Sequence, residues 1–120
     1  MDSIIDRAFA LAKNSVMSEQ HAAVIWAGAG PRRGEIISMG YNKRFSFLPV
    51  QRFRKERHCS YHAELVALMQ LPRRDRGYLR SIRASMVVVR VKGDDLVLSK
   101  PCHVCTQKLE SLGINVYYSS

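Results

Sequence analysis

Two stretches decide how this chain is read. The first is Ser60-Tyr61-His62-Ala63-Glu64-Leu65, and the second, about forty residues later, is Pro101-Cys102-His103-Val104-Cys105. His62, Cys102 and Cys105 offer one imidazole and two thiols, the ligand set of a catalytic zinc whose fourth position is left for water. Glu64 is not needed as a ligand, so it is left to carry protons. Cys102 and Cys105 stand three apart at the expected start of a helix, which turns both thiols to one side. A helix N-terminus also favours the thiolates that a metal needs. The rival reading is a closed structural zinc site made from Cys59-x-x-His62 and Cys102-x-x-Cys105. That reading gives no use to Glu64 or Pro101.

Working outward from these stretches, Tyr61 to Leu71 reads as a helix. Ser60 is its N-cap, Leu65, Leu68 and Met69 its buried stripe, and Pro72 its stop. Upstream, apolar positions at Ile4, Ile5, Ala8, Leu11 and Ala12 make residues 4–16 an amphipathic helix. Ala22 to Ala27 and Ile36 to Met39 read as an antiparallel hairpin joined by the glycine-rich loop that holds Gly28, Gly30 and Gly34. Downstream, the run Met86 to Val91, apolar apart from Arg90, reads as a central strand covered on both faces. Gly93-Asp94-Asp95 makes a turn and Leu96 to Leu98 a short strand. A helix then runs from Cys102 to Gly113, and Ile114 to Tyr118 forms the last strand. The alternation predicts a mixed sheet flanked by helices.

On this order of elements, the His-x-Glu and Pro-Cys-x-x-Cys pair resembles the cytidine and deoxycytidylate deaminase superfamily of zinc enzymes. The resemblance covers nearly the whole chain. It implies a single domain over residues 1–120 with a three-layer α/β/α cytidine deaminase-like fold. The sheet is mixed, with an N-terminal antiparallel hairpin and a minimal C-terminus where relatives continue into a further strand and helix. A small family member, or a homodimer that completes the sheet edge, accounts for that difference. The resemblance further implies one Zn2+ per chain with a bound water or hydroxide, and Glu64 as general acid/base. The Ala63 N–H would donate to the substrate carbonyl and the main-chain carbonyl of Lys100 would receive the exocyclic amine, although relatives often have Glu or Ser at position 100. Asn42 matches a sugar-contacting Asn, and it also reads as a turn residue after Gly40.

Composition bounds the rest. At 120 residues, 47% hydrophobic and 24% charged, the chain is an ordinary globular domain long enough for one core. No apolar run reaches the roughly 18 residues that span a bilayer, and the N-terminus lacks a secretory apolar segment. Three cysteines, two of them in Cys-x-x-Cys, point to reduced thiols in an intracellular setting rather than a disulfide framework.

The net charge of +9 suits a polyanionic partner, and a solvated basic surface is its plain alternative. Residues 43–57 read as a long functional loop. They carry Arg44, Arg52, Arg54 and Lys55 among their cations, interleaved with Phe45, Phe47 and Phe53, the mixture that a single-strand groove uses. Arg73 and Arg74 follow the active-site helix and join the same expected contact set. The substrate expected here is cytosine, converted to uracil in single-stranded DNA or RNA. A cytidine, CMP or dCMP deaminase of pyrimidine salvage stands beside it as the alternative. A zinc-containing nucleic-acid-binding module without turnover is the third reading, and Glu64 argues against it. His21, His58 and His103 are given only surface or local hydrogen-bonding roles.

Overall fold

The computed structural model describes residues 2–16, 19–44, 60–72, 75, 77–99 and 103–119. Its elements, in chain order, are α1 (Asp2–Ala12), β1 (Gln20–Trp26), β2 (Ile36–Tyr41), β3 (Lys43–Arg44), β4 (Ser60–Tyr61), α2 (Ala63–Met69), β5 (Ser85–Lys92), β6 (Asp95–Val97), α3 (His103–Ser111) and β7 (Asn115–Tyr118). This is the expected order, with a small β3–β4 ladder added.

β5 is the centre of the main sheet. Its run of valines is β-branched and apolar on both faces, which suits a strand with neighbours on each side. β1 pairs with it antiparallel from Gln20↔Val91 to Trp26↔Ser85, and β2 pairs with β1 in turn. The other edge of β5 is shared. β7 runs parallel beside Ser85 to Val88, and β6 antiparallel beside Arg90 to Lys92. Ser119 joins the two: its N–H donates to the Val88 carbonyl and its hydroxyl to the Val97 carbonyl, while its own carbonyl accepts from Ser99 N–H.

Side-chain alternation then sorts the core into two layers. Ala22, Val24, Trp26, Val87, Val89 and Val91 face α1 through Ile4, Ala8 and Ala12. Ala23, Ile25, Met86 and Val88 face the other way, against Ala63, Ala67 and Leu68 of α2 and Leu109 of α3. Burying a Val or Leu of this kind contributes about 1.5–3 kcal/mol.

α2 differs from expectation in two ways. Its N-cap is His62, not Ser60, because Ser60 and Tyr61 pair with Arg44 and Lys43 as strand. Met69 is 54% exposed, so the buried face is Ala63, Val66, Ala67 and Leu68 rather than a Leu65–Leu68–Met69 stripe. Small residues face the sheet because the helix lies very close to it. A Cβ added to Gly40 would sit 2.6 Å from the Ala67 nitrogen and 2.8 Å from Val66 Cγ1. The Ser38 hydroxyl donates to the Ala67 carbonyl in the same contact. α1 also stops earlier than expected, at Ala12.

These contacts orient α2 against β2. Ser38 and Gly40 meet the middle of the helix, and the β3–β4 ladder sets Lys43 opposite Tyr61, just before His62. The start of α2 therefore lies at the end of the sheet where β1 begins and β2 and β5 finish.

Candidate metal centre

α3 brings its first turn to that same end. Cys105 Sγ lies 3.7 Å from His62 Nδ1. Ligand bonds of about 2.05 Å to nitrogen and 2.3 Å to sulfur, set at a tetrahedral angle, require an N–S separation of roughly 3.5 Å. The two atoms thus stand as neighbouring corners of a zinc site. Ligand atoms of His62, Glu64 and Cys105 all lie within 4.8 Å of one another. This soft sulfur, imidazole and carboxylate donor set fits zinc.

Glu64 is 5% exposed. Burial raises its pKa above the ordinary carboxylate value, against the lowering effects of its own backbone N–H and of the His62 charge. A carboxyl pushed upward in a cleft is suited to holding and passing a proton. Its place follows from local sequence. With His62 as N-cap and the small Ala63 and Ala67 against the sheet, the second residue of the helix falls on the sheet side.

Asn42 is also buried here, and its carboxamide is engaged with β1. Its Oδ1 accepts the His21 N–H at 2.9 Å, and its Nδ2 donates to the Glu19 carbonyl at 2.7 Å. Ser15 Oγ donates to the Asn42 carbonyl. Ala63 is buried at the helix start, and Arg44 pairs with Ser60 through the backbone of β3. Cys102, Lys100, Arg52, Phe53, Arg54, Lys55, Arg73 and Arg74 lie outside the described residues, as does Cys59 of the rival zinc reading.

His21, given only a surface or local hydrogen-bonding role from the sequence, stands at this end in a polar group with Glu19 and Arg90. His21 shares its sheet face with Ala23 and Ile25, and Arg90, its cross-strand partner, shares that face with Met86 and Val88. Glu19 spans the two: Arg90 Nη2 donates to its Oε1 at 3.0 Å, and His21 Nε2 lies 3.9 Å from its Oε2. Burial holds the His21 imidazole below the ordinary histidine value, Glu19 pulls it up, and the Arg90 and His62 charges push it down. The available signal was the alternation of β1 and β5, which sets residues 21 and 90 on the α2 and α3 face once the strands are paired.

The chain matches the family described as cytidine and deoxycytidylate deaminase zinc-binding region over residues 2–120. It belongs to that family. Its fold is the family's α/β fold, its cofactor is zinc, and its chemistry is of the zinc-dependent cytidine or deoxycytidylate deaminase type. No curated protein matches the chain. Among the described residues, no helix is long and apolar enough to cross a membrane.

Proposed function

We propose that residues 1–120 act as one domain that hydrolyses cytosine to uracil and ammonia, with single-stranded nucleic acid as the favoured carrier. The chemistry rests chiefly on the 3.7 Å approach of Cys105 Sγ to His62 Nδ1 beside the buried Glu64. His62, Cys105 and Cys102 would hold the zinc. When bound, zinc supplies the Lewis acidity that brings the pKa of water from about 15.7 towards 7.

Glu64 takes the proton of the attacking water as oxygen bonds to C4 of the ring. It delivers that proton to the ring nitrogen, then takes the proton of the new C4 hydroxyl and passes it to the amine, so that the C4 carbonyl forms as the C4–N bond breaks and ammonia leaves. The Ala63 N–H donates to the ring carbonyl, and the main-chain carbonyl of Lys100 accepts from the exocyclic amine. Asn42 contacts the sugar. Its bonds to Glu19 and His21 fix the orientation of the amide, which keeps one N–H and one lone pair for that contact.

The polymer reading is supported by charge that adjoins the site in sequence. Residues 43–59, which leave β3 and return at β4 next to His62, carry six basic side chains and one acid. Phe45, Phe47 and Phe53 add rings on which bases can stack. Free CMP or dCMP is the second reading, favoured by the family's own description.

Incubation of zinc-loaded protein with cytidine, CMP, dCMP and single-stranded oligonucleotides, followed by mass analysis, separates the two. Uracil in the oligonucleotides supports the proposal. Uracil in the free nucleotides alone overturns the polymer reading and leaves a salvage-type enzyme. No uracil in any substrate overturns the reaction itself.

A further inference from the structure

On the sheet face that α2 and α3 cover, Gly40, Ala23 and Val88 form a row across three strands, closed over by the helices. One pleat nearer the metal centre, the same strands carry Asn42, His21 and Arg90. The Asn42 N–H donates to the His21 carbonyl, and His21 stands opposite Arg90 in the β1–β5 register. Neighbouring strands lie about 4.8 Å apart, so His21 is one spacing from Asn42 and Arg90 two. The charge of His62 reaches His21, as expected of a row that borders the metal centre. Ring chemistry uses Glu64, the zinc ligands and the backbone of Ala63 and Lys100. It gives His21 and Arg90 no work.

A single carboxylate faces both of them. Arg90 Nη2 donates to Glu19 Oε1 at 3.0 Å, and His21 Nε2 lies 3.9 Å from Glu19 Oε2. The first distance is a hydrogen bond and the second is too long for one, so the carboxylate meets Arg90 and falls short of His21. Among the described residues the Arg90 guanidinium has no second partner. The Glu19 side chain is 62% exposed, against 22% for His21 and 30% for Arg90. The two nitrogen groups thus belong to the sheet, and the carboxylate comes to them from the solvent side. A pair this exposed is weak and open to exchange for a stronger anion.

We propose that Arg90 and His21 form a subsite for a phosphate carried on the substrate's sugar, and that Glu19 fills it as a stand-in until the phosphate displaces it. The inference rests on the proposed cytosine reading, with Asn42 on the sugar. A phosphate offers a tetrahedral set of oxygens where the carboxylate offers a planar pair, so it can meet the Arg90 fork and the His21 ring together. A sugar held at Asn42 carries its phosphate towards the next strand, where His21 stands. The pair therefore selects substrates: a nucleoside brings nothing to displace Glu19, and a nucleotide does. The phosphate is a monoester in CMP and a diester in an oligonucleotide.

The test is calorimetric binding of cytidine, CMP and a cytosine-centred trinucleotide to zinc-loaded Glu64→Gln protein, in which no substrate is consumed. Adding Arg90→Ala should weaken the phosphate-bearing ligands about tenfold or more and leave cytidine unchanged. Adding Glu19→Gln should do the opposite, tightening the same ligands severalfold with cytidine again unchanged. This exposed substitution keeps the backbone carbonyl that accepts from Asn42, so it tests the subsite even if Arg90→Ala folds poorly.

An effect on CMP alone assigns the subsite to a monoester, and an effect on the trinucleotide alone assigns it to a diester. Equal changes for cytidine and the phosphate-bearing ligands, or weaker binding of the latter in Glu19→Gln, overturn the subsite. Failure of the cytosine reading looks different, because it appears as absent uracil with the unaltered protein whatever these affinities are.

Discussion

The two ends of the sheet use their polar groups in different ways. At the far end, polar groups are matched to one another: Arg32 closes on Glu35 and Asp75, and Arg80 on the Ser111 carbonyl. At the near end, the starts of α2 and α3 bring a thiol, an imidazole and a buried carboxyl within 4.8 Å, an arrangement that a cation completes. The meeting of two helix starts locates the chemistry.

The sharpest way to break this contrast is to remove a ligand. Cys105→Ser should lose most of its zinc and all measurable turnover, read by metal analysis and a deamination assay; a fully loaded variant would remove Cys105 from the metal centre.

Gly40→Val comes next. It forces side-chain atoms into the Ala67 backbone and should cost about 1–3 kcal/mol by overpacking, or more if α2 is pushed off the sheet. Because the shift would be felt at His62 and Glu64, activity per folded molecule should fall with it. A stable, fully active variant would mean that the close approach of α2 does not position the site.

Arg32→Ala should produce the smallest of these effects and the opposite pattern. Asp75, 5% exposed, loses its partner, so the thermal midpoint should drop while kcat on a free nucleotide stays unchanged. A change in kcat with no change in midpoint would couple the two ends, contrary to the contrast drawn here.

Much of the near end was legible in the sequence because metal chemistry restricts residue type and spacing together. His62, Glu64 and Cys105 could be paired across about forty residues without knowing the sheet. The strands were legible for a similar reason, since the valine run of β5 has few other uses. Ser60 misled because a good capping residue was claimed by a two-residue strand, a tertiary contact that leaves no local trace. Met69 misled because helical spacing alone does not show which stripe faces the sheet. The glycine opposite the helix decided it, and small residues won the contact. His21 was given only a surface or local hydrogen-bonding role and Arg90 fell inside the run read as a strand; only the register of β1 on β5 sets them side by side next to Glu19. Arg73 and Arg74, placed in the expected contact set because they follow α2 in sequence, lie outside the described residues. Further along, Arg80 meets the Ser111 carbonyl at the far end of α3.

The central claim is that Glu64 moves protons beside the metal rather than holding it. The most direct test measures zinc content and turnover together in Glu64→Gln, which keeps the shape of the side chain and removes its acidity. Retention of zinc at the unaltered protein's level, with turnover reduced about 10²–10⁴-fold or beyond detection, is the predicted result. Loss of zinc would make Glu64 a ligand, and full activity would remove it from the reaction; either outcome contradicts the account.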